Sequence, residues 1–220
     1  MVSKMKTIEY GNRDADIVLI QPVDDHDLDV IESEIRLIGE LSGKGPDGFR
    51  LIAVKIDDWN RDLSPWEAPP VFGKEPFGAG AEDTLKSIMD LCAAVSEESD
   101  KEKKYYIGGY SLAGLFALWA AYKTDIFAGV AAASPSAWFP GFLEYMKDGR
   151  LLSPAVYLSL GDKEERTRNP VMGAVGTCIR QMEEIVREQG AERTLEWNPG
   201  NHFKEPDLRT AKAYAWVMGR

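Results

Sequence analysis

The sequence predicts an α/β fold, a mainly parallel central sheet with helices on both faces. Three observations predict it. Short strand candidates alternate with helical segments from one end of the chain to the other. The strand candidates are runs of apolar residues rather than alternating patterns, as burial on both faces of a parallel sheet requires. The 220 residues, 44% of them hydrophobic, are enough for one sizeable core. No linker, composition shift or internal repeat divides them, so one domain over 1–220 is expected.

The elements follow in order. Ile17-Val18-Leu19-Ile20 marks a buried strand within 16–22. Leu28, Ile31, Ile35, Ile38 and Leu41 have helical spacing, and Gly43 supplies a stop. A second strand spans 49–56. The stretch 57–79 is rich in Pro, Trp and Gly, and a loop of that length is often functional. Helix is expected over 82–99, a short strand over 105–109, an apolar helix over 112–123 and a strand of branched and small residues over 126–133. The remaining elements are a strand over 155–160, a helix over 170–189, a strand over 194–197 and a final helix over 206–218. Ligands of such sheets bind beyond the carboxyl ends of the strands, so the loops that leave a strand are the ones to read for chemistry.

Composition narrows the function classes. With 36 Asp and Glu against 26 Lys and Arg, the formal charge is −10. Such a surface repels nucleic acid and anionic membranes, and neither is expected as a partner. Cys92 and Cys178 make no disulfide framework and read as reduced thiols on helices. Two histidines and two scattered cysteines offer no metal-ligand spacing, so no metal is expected. The chain begins Met1-Val2-Ser3-Lys4-Met5-Lys6 without an apolar leader, and no apolar run approaches a membrane span; a cytoplasmic location is expected.

The chemistry concentrates in three loops. In Tyr105-Tyr106-Ile107-Gly108-Gly109-Tyr110-Ser111-Leu112-Ala113-Gly114, a strand enters, Ser111 sits at the turn and an apolar helix leaves. That is the setting of a nucleophile elbow. The turn is tight, so the residues two before and two after the serine must be small; Gly109 and Ala113 are, although Ala113 stands where glycine is usual. The helix directs its N-terminal N–H groups at the site, and the Leu112 N–H is a candidate oxyanion donor. The alternative for Ser111 is a plain helix N-cap.

A serine hydroxyl needs a base within hydrogen-bond reach. His202 is the only histidine after Ser111, and it follows the last strand in Trp197-Asn198-Pro199-Gly200-Asn201-His202-Phe203. The acid that orients it is expected between the two, after the strand over 155–160. Three carboxylates compete there, in Gly161-Asp162-Lys163-Glu164-Glu165. Glu164, three residues beyond the glycine, is the first choice, Asp162 the second and Glu165 the third. Val23 is the expected second oxyanion donor, because Pro22 has no N–H. His26 reads as an exposed histidine among aspartates. Asp57, Trp59, Trp66 and Trp138 are candidates for the pocket wall, with packing of the long loop as the alternative for the tryptophans.

Gly109-Tyr110-Ser111-Leu112-Ala113-Gly114, Tyr157-Leu158-Ser159-Leu160-Gly161-Asp162-Lys163-Glu164-Glu165 and Gly200-Asn201-His202-Phe203 together resemble the esterase group of the α/β-hydrolase superfamily, which includes enterochelin-esterase-like and esterase-D-like proteins. The resemblance covers most of the chain. It implies hydrolysis of small carboxylic esters through an acyl-enzyme, with Ser111 as nucleophile, His202 as base and no cofactor. The Gly-x-x-Glu of the acid loop again favours Glu164. The chain has little length to spare for a large cap domain. An acyltransferase, thioesterase or peptidase could use the same residues, and a non-catalytic binding protein could use the same fold. The acyl group, the alcohol and the oligomeric state are not written in these motifs.

Overall fold

The computed structural model describes residues 5–98 and 100–220. Met1–Lys4, from the N-terminal segment read above, and Ser99, the expected end of one helix, lie outside them.

Seven strands form one sheet: β1 (Lys6–Gly11), β2 (Ile17–Val23), β3 (Arg50–Lys55), β4 (Lys104–Tyr110), β5 (Phe127–Ala133), β6 (Ala155–Gly161) and β7 (Glu192–Asn198). Their order is β1-β3-β2-β4-β5-β6-β7; β1 runs antiparallel to β3 and every other pair is parallel. The helices are α1 (Asp25–Ser42), α2 (Trp59–Asp62), α3 (Ala81–Glu97), α4 (Leu112–Ala120), α5 (Phe142–Asp148), α6 (Pro170–Gly173), α7 (Val175–Glu188) and α8 (Pro206–Val217).

The apolar strands are buried on both faces, as their runs require. Val18, Ile20, Ile52, Val54, Ile107 and Val130 point into a core closed by α3, α4 and α7. Leu19, Leu51, Tyr106, Ala131 and Tyr157 point the other way, under α1 and α8. The chain order along the sheet reverses between β2 and β4, so the crevice for a ligand opens at the carboxyl end of β4.

Local chemistry fixes the helix ends. Asp24 caps α1 in a reciprocal box with Asp27, and Gly43 ends it in the left-handed conformation at φ 68°. The proline in β2 is tolerated for a positional reason. Residues of a strand point their N–H groups alternately to the two neighbours. Val23 bonds toward β3, so Pro22 faces the β4 side, where pairing has already stopped at Ile20.

The structure departs from the sequence reading at four places. Strand β1 was not expected, because it is an edge strand with almost every side chain exposed and carries no apolar run. Helix α5 was not expected either; it has only seven residues and starts at Gly141 without a side-chain cap. The helix expected over 170–189 is two, α6 and α7, which meet at Ala174. The long stretch 57–79 is not irregular throughout. Asp58 caps α2, and Ala68 and Phe77 exchange two backbone hydrogen bonds that close the excursion on itself.

One core carboxyl gives a stability prediction. Glu34 of α1 is buried, and its Oε1 has no hydrogen-bond partner among the described residues. Burial pushes its pKa well above the usual carboxylate value, and the charge of Asp27 adds to this. The native state therefore holds a proton that the unfolded chain releases, and stability falls as pH rises toward the native titration. Glu34→Gln is expected to flatten that slope and to raise the melting temperature at pH 9 by about 2–4 °C, the response of a chain this size to about 1 kcal/mol. Thermal melts at pH 6 and pH 9 check it.

Candidate active site

Ser111 occupies the turn between β4 and α4 with φ 57° and ψ −118°, a conformation costly for any residue with a Cβ. The turn is tight enough that a Cβ on Gly109 would lie 2.7 Å from the Ala113 methyl. Glycine at 109 thus makes room for alanine at 113, which accounts for the departure from the usual second glycine. The turn is held by Ser111 N–H donating to the Ala133 carbonyl at 3.1 Å and by the Ser111 carbonyl accepting from Leu115 and Ser136. Ser111 stands at the N-cap position of α4 but makes no side-chain cap hydrogen bond, so its hydroxyl is not committed to the helix.

His202 comes from the loop between β7 and α8. Its Nε2 lies 3.1 Å from Ser111 Oγ, and its Nδ1 lies 2.7 Å from Glu164 Oε2. The Glu164 side chain is 4% exposed and therefore nearly dry. Burial pushes its pKa up, but hydrogen bonding to His202, the pull of that imidazole when protonated and the Gly161 N–H outweigh this and hold it below the usual carboxylate value. An ionised carboxylate only accepts, so the imidazole proton sits on Nδ1 and the Nε2 lone pair faces the serine hydroxyl.

The three competing carboxylates are separated by geometry. Glu164 reaches His202, and its Oε1 accepts from Gly161 N–H at 2.7 Å. Asp162 is turned to the Gly200 N–H, also at 2.7 Å, and tethers the histidine loop. Glu165 lies 3.9 Å from Arg180 of α7. Glu164→Gln is accordingly expected to lower kcat by about 10³–10⁴-fold by favouring the wrong tautomer. Asp162→Asn should cost less than about tenfold, since the amide oxygen still accepts from Gly200 N–H. Steady-state kinetics on a nitrophenyl ester checks both, and the reverse ranking would remove Glu164 from the role.

The two expected oxyanion donors fare differently. Leu112 is the first residue of α4, so its N–H lies outside the intrahelical ladder and is available to a ligand. Val23 is a correction. Its carbonyl accepts from Ile56 N–H at 3.0 Å, and the N–H and C=O of one strand residue point the same way. Its N–H therefore faces β3 rather than Ser111. The next N–H, of Asp24, is held by the Asp27 carboxylate at 3.1 Å.

The segment 57–79 builds an open cleft of about 1200 Å³, lined by its own residues. Asp57, Trp59, Phe72 and Phe77 line it. Trp138 stands edge-on to Phe72 at 6.0 Å, two residues after Ser136, whose Oγ is 3.4 Å from Ser111 Oγ. Trp66 departs from the expectation of a pocket wall. Its indole N–H donates to the Pro140 carbonyl, and its ring packs against Phe139, Phe142 and Tyr145, so it fastens the long loop to the body. His26 is exposed and pairs with Asp24. No helix among the described residues is long and apolar enough to cross a membrane.

Four side chains around the relay were not singled out from sequence: Arg209, Tyr110, Ser134 and Ser136. Tyr110 O–H donates to the His202 carbonyl at 2.7 Å, and burial and the Glu164 charge push its pKa up to about 12. Ser134 and Ser136 leave β5 as Ser111 leaves β4, and their place after a strand was the available signal.

The sequence matches no protein-family model and no curated protein. Solved structures are similar at the level of the fold. An IroE-like serine hydrolase from Shewanella oneidensis superposes with a TM-score of 0.75 at 14% identity, covering 96% of this chain and 79% of that one. The siderophore hydrolase EstA from Aspergillus nidulans gives 0.68 at 17%, covering 98% and 94%. The Bacillus cereus carboxylesterase gives 0.66 at 13%, covering 99% and 95%. With the strand order and the turn at Ser111, these likenesses give the chain the α/β-hydrolase fold, and no cap domain covers the carboxyl ends of the described strands.

Proposed function

We propose that this chain is a serine hydrolase that cleaves small carboxylic esters through an acyl-enzyme, acting as one domain over 1–220. The observation that carries the reading is the unbroken relay Ser111 Oγ, His202 Nε2, His202 Nδ1, Glu164 Oε2, with spacings of 3.1 and 2.7 Å across three loops distant in sequence.

In this reading Ser111 Oγ attacks the ester carbonyl while its proton passes to His202 Nε2. Glu164 stabilises the imidazolium without taking its proton. Leu112 N–H and the dipole of α4 stabilise the oxyanion. His202 then protonates the departing alkoxide, leaving an ester on Ser111. Water, deprotonated by the same imidazole, attacks that ester and regenerates the hydroxyl. No step needs a cofactor. The named hydrolase, siderophore hydrolase and carboxylesterase neighbours support ester chemistry. The unpaired Cys92 and Cys178 support a reducing compartment such as the cytoplasm.

The test is turnover of a panel of nitrophenyl esters, from acetate to octanoate, followed from the first milliseconds. A burst of nitrophenol equal to the enzyme concentration, then steady turnover, is expected where deacylation limits. No hydrolysis of any ester by the folded protein would leave a binding role for the fold.

A further inference from the structure

Behind Glu164 lies a second charge that the reaction above does not use. Arg209 of α8 has a side chain only 1% exposed. Its Nη1 donates to Glu164 Oε1 at 2.9 Å, to Tyr110 Oη at 3.0 Å and to Ser134 Oγ at 3.2 Å. Its Nη2 donates to the carbonyls of Pro199 and Asn201 at 3.2 and 3.0 Å. Tyr110 in turn donates to the carbonyl of His202. One buried guanidinium therefore holds the oxygen of Glu164 that His202 leaves free, and three backbone carbonyls of the histidine loop directly or through one hydroxyl.

We propose that Arg209 is a positioning residue that clamps the His202 loop and, from behind Glu164, holds down the affinity of His202 for a proton. This rests on the assignment of His202 as the base. The electrostatic part follows from counting charges. With the imidazole neutral, Arg209 and Glu164 cancel. Once the imidazole is protonated, the cluster, buried at Glu164 and Arg209 and 29% exposed at His202, carries one uncompensated positive charge, whose cost is higher than it would be in water. The carboxylate alone would hold the proton on His202 tightly; the guanidinium offsets this, keeping the imidazole free to accept from Ser111 and ready to release to the leaving group.

The other groups facing the pair do not duplicate this. Tyr110, from β4, is neutral. Asp162, from the acid loop, is exposed and turned to Gly200 N–H. Lys204 and Glu205, which follow His202 on its own loop, lie 3.8 Å apart and oppose each other. A buried arginine with a purely architectural role would explain the carbonyl contacts but would leave the titration of His202 indifferent to its charge.

The experiment is an NMR titration of the imidazole carbon-bound protons in the intact protein. Only two histidines are present, and exposed His26 serves as an internal control. Arg209→Gln is expected to raise the titration midpoint of His202 by about one pH unit, with His26 unmoved. Arg209→Lys, which keeps the charge but not the fork, should leave the midpoint near wild type. Its kcat on a nitrophenyl ester should fall by about 10–100-fold, because the histidine loop is no longer held in register. Tyr110→Phe should behave like the lysine variant.

A folded Arg209→Gln protein whose His202 midpoint is unchanged or lower overturns the proposal. If Arg209→Gln does not fold, Arg209→Lys decides, and a kcat within twofold of wild type overturns it. The titration needs no turnover, so failure of this idea is distinct from failure of the esterase reading, which wild-type hydrolysis reports separately.

Discussion

Ser111→Ala is expected to lower kcat for a small nitrophenyl ester by about 10⁴–10⁶-fold, with KM changed little. The hydroxyl is the only group of the relay that forms a bond to substrate. Its loss leaves a remnant rate from the Leu112 N–H and the helix dipole alone. KM should hold because the cleft is lined by the segment 57–79 and not by Ser111. Stability should also be retained. Among the described residues, Ser111 Oγ is hydrogen-bonded to His202 and Ser136, and neither bond holds a core element in place. Ser111→Gly separates strain from chemistry. It relieves the positive φ of the turn and is expected to raise the melting temperature by about 2–4 °C, equivalent to about 1 kcal/mol, while remaining as inactive as Ser111→Ala. Kinetics and melts on the three proteins read both effects, and a variant retaining more than a tenth of wild-type turnover would exclude Ser111 as nucleophile.

His202→Ala is expected to produce a loss of the same order, about 10⁴–10⁶-fold, and the losses should not multiply. Without the imidazole, Ser111 keeps its proton at neutral pH, and among the described residues its remaining hydrogen-bond partner is the hydroxyl of Ser136. The double variant Ser111→Ala/His202→Ala should therefore be no slower than either single one. His202 is 29% exposed by its side chain, so its removal should cost little stability. A double variant slower than Ser111→Ala by a further 10³-fold would show that the two side chains act independently, contrary to a shared proton.

Most of what positions this site could be read from the sequence because each feature has a local cause. The turn at Ser111 needs small residues at 109 and 113. The parallel strands need apolar runs, and the loop after the last strand contains a single histidine. What was not legible depends on contacts between distant segments. Arg209 is one arginine in a helix with weak amphipathic pattern, and nothing nearby says that it turns inward to meet a glutamate 45 positions earlier. The missing N–H of Pro22 points to Val23, but which neighbour a strand residue faces depends on register, which no local pattern of β2 specifies. Trp66 and Trp59 share one loop and one residue type; only tertiary packing sends the first into the body and leaves the second lining the cleft. Strand β1 shows the limit from the other side, since an exposed edge strand buries too little to leave an apolar signature.

The most direct measurement is covalent labelling of the wild-type protein with a fluorophosphonate, read by intact mass and peptide mapping. One adduct per chain, located on Ser111 and formed far more slowly in His202→Ala, is the result that a shared proton between these two side chains requires. A folded protein that takes no label, or takes it at another residue, would contradict it.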